Sequence, residues 1–222
     1  MPVPVVFFLV GTPLAIVVER LLRRLTGAAD TDYNEPGRKR LQWQVEPWNA
    51  RLRVGVALIL PPLAAAAAWR FDILEALAVS VLLIALLVCM ATDLLCYRVP
   101  NVVTYPGVVL ALAAAAFMPH GDLRSALIAV GLSASLFLGV WVLSRGGIGL
   151  ADVKFAVLIG AALGLPAAYA ALALGIIIGG FVMAALLVTG RVSRRQVTPY
   201  APFLALSAIA VVFVQGTVFA PL

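Results

Sequence analysis

Eight apolar runs follow one another along the chain, at about residues 3–19, 54–69, 73–95, 102–118, 125–143, 153–165, 167–189 and 202–219. A helix needs about 20 apolar residues to cross the hydrocarbon core of a bilayer, and most of these runs approach that length. They are stretches of Leu, Ala and Val without the period-two alternation of a membrane barrel strand. Because a segment in lipid must satisfy its own backbone hydrogen bonds, such runs become helices. The pattern predicts an all-α polytopic membrane protein, a bundle of seven to eight transmembrane helices. The count stays open because the sixth run is short and ends in Gly164-Leu165-Pro166. One integral-membrane domain is expected over residues 1–222, with a basic loop at about 20–53. Composition agrees: the chain is 64% hydrophobic and 12% charged, with a mean hydropathy of +1.08, too little polar surface for a soluble domain.

The net charge of +6 would suggest nucleic acid in a soluble protein. Here it reads as a topology signal instead, because basic residues collect on the cytoplasmic side of membrane spans. With eight spans and the N-terminus outside, fourteen of the sixteen basic residues fall inside, leaving only Arg70 and Arg124 outside. The first apolar run is followed by Arg20, Arg23 and Arg24 rather than preceded by them, so it is expected to be a retained helix and not a cleaved signal. The loop at 20–53 carries Trp43 and Trp48 beside Arg38, Lys39 and Arg40. It reads either as an interfacial segment or as a plain connector. Gly160/Gly164 and Gly175/Gly179 are small-residue pairs suited to close helix packing. Cys89 and Cys96 lie seven residues apart in one predicted helix, too far apart for a disulfide, and His120 is the single histidine. No metal site and no cofactor are expected.

The ten acidic residues sort by elimination. Glu19, Asp30, Asp32, Glu35 and Glu46 belong to the first loop or its margin, and Asp72, Glu75 and Asp122 to outer turns. Asp93, near the inner end of the third span, and Asp152, at the inner start of the sixth, remain. An ionisable side chain at membrane depth is a functional hypothesis by default, although either acid alone also reads as a capping or ion-paired carboxylate. Asp93 precedes Leu94-Leu95-Cys96-Tyr97-Arg98-Val99-Pro100-Asn101, and Pro100 is expected to end its helix about two turns later. Asp152 follows Gly146-Gly147-Ile148-Gly149-Leu150-Ala151, where glycines permit unusual backbone conformations and close approach. At a helix start it feels the positive end of the helix dipole. Two facing carboxylates can share one proton, so that one activates water while the other polarises a peptide carbonyl.

Three stretches then resemble one family. Asp93, five residues and Val99-Pro100-Asn101 resemble the Asp-x5-Ile-Pro-Asn/Asp motif of the type IV prepilin peptidases. Gly147-Ile148-Gly149-Leu150-Ala151-Asp152-Val153-Lys154 resembles their Gly-x-Gly-x-Gly-Asp-x-Lys motif. Thr198-Pro199-Tyr200-Ala201-Pro202-Phe203-Leu204-Ala205 is similar to the stretch before their last span. The resemblance implies a GxGD-type aspartic protease of the bacterial inner membrane. Such an enzyme cuts the basic leader from prepilins or pseudopilins of a type IV pilus or secretion system, at the cytoplasmic face and just after a glycine. It carries over Asp93 and Asp152 as the catalytic pair, and Gly147, Gly149, Lys154, Pro100 and Asn101 as motif positions. Ala151 departs from the family's glycine. The first loop also lacks the paired CxxC motifs of the members that methylate the new N-terminus, so the chain resembles the shorter, peptidase-only form.

The expected partners are a prepilin or pseudopilin substrate and membrane lipid, with no nucleic acid; a homo-oligomer is left open. Two other classes compete. A proton-coupled transporter would use the two acids as a relay near the midplane. An inactive scaffold of a pilus or secretion apparatus would tolerate Asp93→Asn.

Overall fold

The computed structural model describes residues 3–30, 48–143, 149–190 and 198–215. The described residues form eight helices and no strand: α1 (Val3–Asp30), α2 (Trp48–Arg70), α3 (Ile73–Cys96), α4 (Asn101–Phe117), α5 (Leu123–Leu143), α6 (Leu150–Leu163), α7 (Ala167–Val188) and α8 (Ala201–Gln215). Each matches one apolar run of the sequence. Five of them, α1, α2, α3, α5 and α7, are long and apolar enough to cross a membrane. At 17 and 15 residues, α4 and α8 are shorter apolar helices, and α6 has 14 residues, about 21 Å at 1.5 Å per residue. The chain is an all-α polytopic membrane protein. It divides into two compact units, residues 1–103 and 104–222.

In the first unit α3 is the central element. Its apolar face meets both α1 and α2, and most of its residues from Val79 onward are buried. Along α1 and α2 the backbones approach closely at Gly11, where an added Cβ would lie 3.0 Å from the Cα of Pro61. The apolar run of the first span ends near residue 19, yet α1 continues to Asp30. Residues 20–25 are Arg and Leu, good helix formers, and Arg23 pairs with Glu19 one turn back at 3.2 Å. Leu22 and Thr26 are buried in this extension, and Arg53 Nη1 donates to Thr26 Oγ1 at 3.3 Å, tying α1 to α2. The segment between these helices is thereby narrowed to residues 31–47, which, with Trp43, lies outside the described residues.

The second unit is organised around α6. Apart from its first turn this helix is almost wholly buried, with Phe155, Ala156 and Leu158–Leu163 all in the core. A 14-residue helix covers less than the roughly 30 Å hydrocarbon core, and this one packs on α5, α7 and α8. Two glycines set those contacts. A Cβ at Gly160 would stand 2.7 Å from Ser133 Oγ and 2.9 Å from the Ala129 carbonyl oxygen. Gly164 ends the helix at φ +62°, a conformation that suits glycine, with Ser125 Oγ close by. The helices α7 and α8 meet in the same way: a Cβ at Gly175 would lie 2.8 Å from both Leu204 Cδ2 and Ser207 Oγ, and one at Gly179 2.8 Å from the Tyr200 ring. Both small-residue pairs read from the sequence are thus packing positions.

Candidate active site

Asp93 sits in the last turn of α3, 5% exposed. Its carbonyl oxygen accepts the N–H of Tyr97 at 2.8 Å, and Tyr97 takes the left-handed conformation at φ 53°. The helix therefore stops at Cys96, earlier than Pro100 would dictate, and Asp93 lies within one turn of the break rather than two. The physical reason is the left-handed cap, which reverses the chain and closes the final turn before proline is reached. Pro100 acts on the following element: its carbonyl accepts the Val103 N–H at 3.1 Å and Asn101 opens α4 on an exposed position. Behind Asp93, the Thr92 hydroxyl donates to the Val88 carbonyl at 2.8 Å, while Cys89 is a buried free thiol.

Asp152 occupies the first turn of α6 and is 8% exposed. The N-cap is Gly149, which has no side chain to contribute, so the capping runs through Asp152 itself. Its Oδ2 accepts the Gly149 N–H at 3.2 Å, and its own N–H donates to the Gly149 carbonyl at 3.0 Å. Gly149 has φ −79° and ψ 149°, extended backbone open to any residue. A Cβ there would lie 3.6 Å from Asp152 Oδ2, an ordinary contact. At Gly149 the freedom that glycine permits is thus not used by the backbone. Gly147 lies outside the described residues. Asp152 precedes the apolar run that begins at Val153. Burial raises its carboxyl to about 6, and the Gly149 hydrogen bond acts in the opposite direction.

Two tyrosines that the sequence did not single out as site residues stand near this turn. Tyr200, in the segment leading into α8, packs its ring on Gly179 and edge-on to Phe203 at 6.1 Å. Its phenol is raised by burial first and by the Asp152 charge second. Tyr105, in the second turn of α4, lies under Lys154, whose Nζ is 5.5 Å from the ring centroid. Tyr200 falls in the stretch that resembles the segment before the family's last span, whereas nothing in the sequence marked Tyr105. Among the described residues no group of three or more His, Cys, Asp or Glu side chains is placed to hold a metal ion.

Residues 80–184 match the type IV leader peptidase family. That span contains both Asp93 and Asp152 and the whole of α4, α5 and α6. This segment belongs to the type IV leader peptidase family. A prepilin leader peptidase/N-methyltransferase of Bacillus subtilis (strain 168) is 31% identical over 153 residues, covering 68% of this chain and 62% of the relative. The chain thus matches somewhat less than two thirds of that relative's length. No solved structure matches the chain. Within the leader peptidase segment the sequence motifs fall on helix ends: Asp93 at the close of α3, Pro100 and Asn101 at the opening of α4, and Gly149, Asp152 and Lys154 at the opening of α6.

Proposed function

We propose that the chain is an intramembrane aspartic endopeptidase that removes the basic leader from prepilin or pseudopilin-like substrates. What carries this reading is the position of two buried carboxylates, Asp93 and Asp152, each at a helix end inside the family-matched segment. In the proposed reaction the two share one proton. The ionised member takes a proton from water, whose oxygen attacks the scissile carbonyl carbon, while the protonated member donates to the carbonyl oxygen. The C–N bond then breaks and the proton passes to the leaving amine. The raised carboxyl of Asp152, at about 6, brings its proton exchange close to neutral pH.

The remaining finer points belong to the same proposal. The protein sits in the inner membrane with its N-terminus outside, as the distribution of basic residues supports, and the reaction takes place at the cytoplasmic face. Gly147, Gly149, Pro100 and Asn101 shape the two helix ends, and no metal or cofactor takes part. The first loop has no cysteine, so methyl transfer, which stands in the relative's name, is not proposed for this chain.

The test is leader cleavage of a co-expressed prepilin-like substrate in membranes, comparing wild type with Asp93→Asn and Asp152→Asn. The reading requires that wild type cuts and that each variant, inserted at normal levels, is inactive. Normal cutting by both variants would sink the aspartic mechanism. Absence of cutting by any protein, wild type included, would favour the transporter or scaffold readings.

A further inference from the structure

Lys154 is drawn to an aromatic ring. Its Nζ lies 5.5 Å from the centroid of Tyr105, inside the roughly 6 Å over which a ring face attracts an ammonium. One turn further along the same face of α6, Leu158 meets α4 as well: a Cβ on Gly107 would lie 2.9 Å from Leu158 Cδ1. Lys154 and Leu158 are four residues apart and so share a helix face, and Tyr105 and Gly107 grip that face from α4. Asp152 lies two residues before Lys154, some 200° around the helix. The N-cap Gly149 brings no side chain of its own, so the first turn of α6 is capped by Asp152 alone. The contact with Tyr105 is a second restraint on that turn, reaching it from α4.

We propose that Tyr105 is a positioning residue: its ring holds the Lys154 ammonium, and the pair sets the rotation of the α6 first turn and hence the place of the Asp152 carboxylate. This rests on the peptidase reading. Side chains stand about 6 Å from a helix axis, so ~10° of rotation moves a carboxylate by ~1 Å. A misplacement of that size can lower a rate by about 100-fold. The ring face makes the contact, so phenylalanine should serve where leucine, of similar apolar bulk, should not.

The experiment pairs leader-cleavage kinetics with chemical labelling. Tyr105→Leu is expected to lower kcat roughly ten- to hundredfold with KM little changed, and Tyr105→Phe to restore most of it. Lys154→Met should fall as far as Tyr105→Leu, and the double variant no further, since both break one contact. Lys39 and Lys154 are the only lysines of the chain. Acylation by a water-soluble amine reagent, read by mass spectrometry with Lys39 as the internal reference, should rise at Lys154 in Tyr105→Leu but not in Tyr105→Phe. Wild-type kcat in Tyr105→Leu would overturn the proposal, as would a Tyr105→Phe variant as slow as Tyr105→Leu. Unchanged labelling of Lys154 in Tyr105→Leu would overturn it whatever the activity, because the ring then does not hold the ammonium. If wild type cuts no substrate, the peptidase reading fails and the positioning role fails with it. The labelling then still decides, separately, whether the ring shields the amine.

Discussion

Asp152 and Gly149 bond each other twice: the carboxylate accepts the glycine N–H at 3.2 Å, and the Asp152 N–H donates to the glycine carbonyl at 3.0 Å. The same side chain thus caps the helix that carries it and, in the proposed reaction, handles the proton. The two demands differ. A cap favours the ionised form, while burial favours the neutral one and prevails, raising the carboxyl to about 6.

That shift makes stability depend on pH, and its sign follows from proton counting. Between about 4, where an unfolded aspartate ionises, and about 6, the folded state holds a proton that the unfolded state has lost. Stability therefore falls as pH rises through this window and levels off above it. Asp152→Asn keeps an oxygen for the Gly149 N–H and has no charge to bury. It should be inactive yet more stable than wild type at pH 7.5, by on the order of 2 kcal/mol, with the gain vanishing towards pH 4. Tm measured in detergent at both pH values checks this. A wild-type protein at least as stable at pH 7.5 would contradict it.

Gly160 tests the packing of α5 on α6. An added methyl would stand 2.9 Å from a backbone oxygen of Ala129, which cannot swing aside as a side chain can. Gly160→Ala should lower stability by about 1–3 kcal/mol. Gly180→Ala, with nothing within 4 Å of the new Cβ, should be neutral or slightly stabilising in the same melts.

Ser125 closes the turn after α6 from the side. Its hydroxyl accepts the Leu165 N–H at 2.7 Å and lies 3.2 Å from the Leu165 carbonyl oxygen, to which it donates. Replacing it with alanine leaves both backbone groups without that partner. A loss of about 1–3 kcal/mol is expected, measured by denaturation in detergent. Ser125→Thr, which keeps the hydroxyl, should lose less.

Tyr97 supplies a backbone test at the end of α3. A left-handed residue at φ 53° is strained for any side chain, most of all for a β-branched one. Tyr97→Gly and Tyr97→Val both remove the phenol, so the difference between them isolates the backbone. The valine variant should be less stable by about 1–2 kcal/mol. Equal melting temperatures would mean that the turn relaxes when the ring is removed.

Much of this architecture could be read before any coordinates. In lipid, hydrophobicity alone locates helices, and each of the eight apolar runs became one. Asp93 and Asp152 stood out for the same reason: few acids interrupt such runs, and those that do are costly to bury. The rest lay in backbone geometry and in neighbours that sequence does not announce. The end of α3 was assigned to Pro100 because proline carries a signal in the sequence, whereas a tyrosine in the left-handed region carries none. At Gly149 the backbone is ordinary, and the residue contributes an N–H and a carbonyl, which any residue except proline offers. Tyr105 and Tyr200 were invisible as neighbours of the α6 first turn, because only the approach of other helices brings them there.

The helix that bears Asp152 is enclosed by protein, while its longer neighbours α5 and α7 expose their outer faces. When the surrounding bilayer thickens or thins, exposed helices take up the mismatch by tilting. A short, sheathed helix has almost no lipid to pull on it. The first turn of α6, where the proposed reaction takes place, should thus be mechanically insulated from the membrane around it, and turnover in short-chain and long-chain lipids should differ far less than the tilt of α5 and α7.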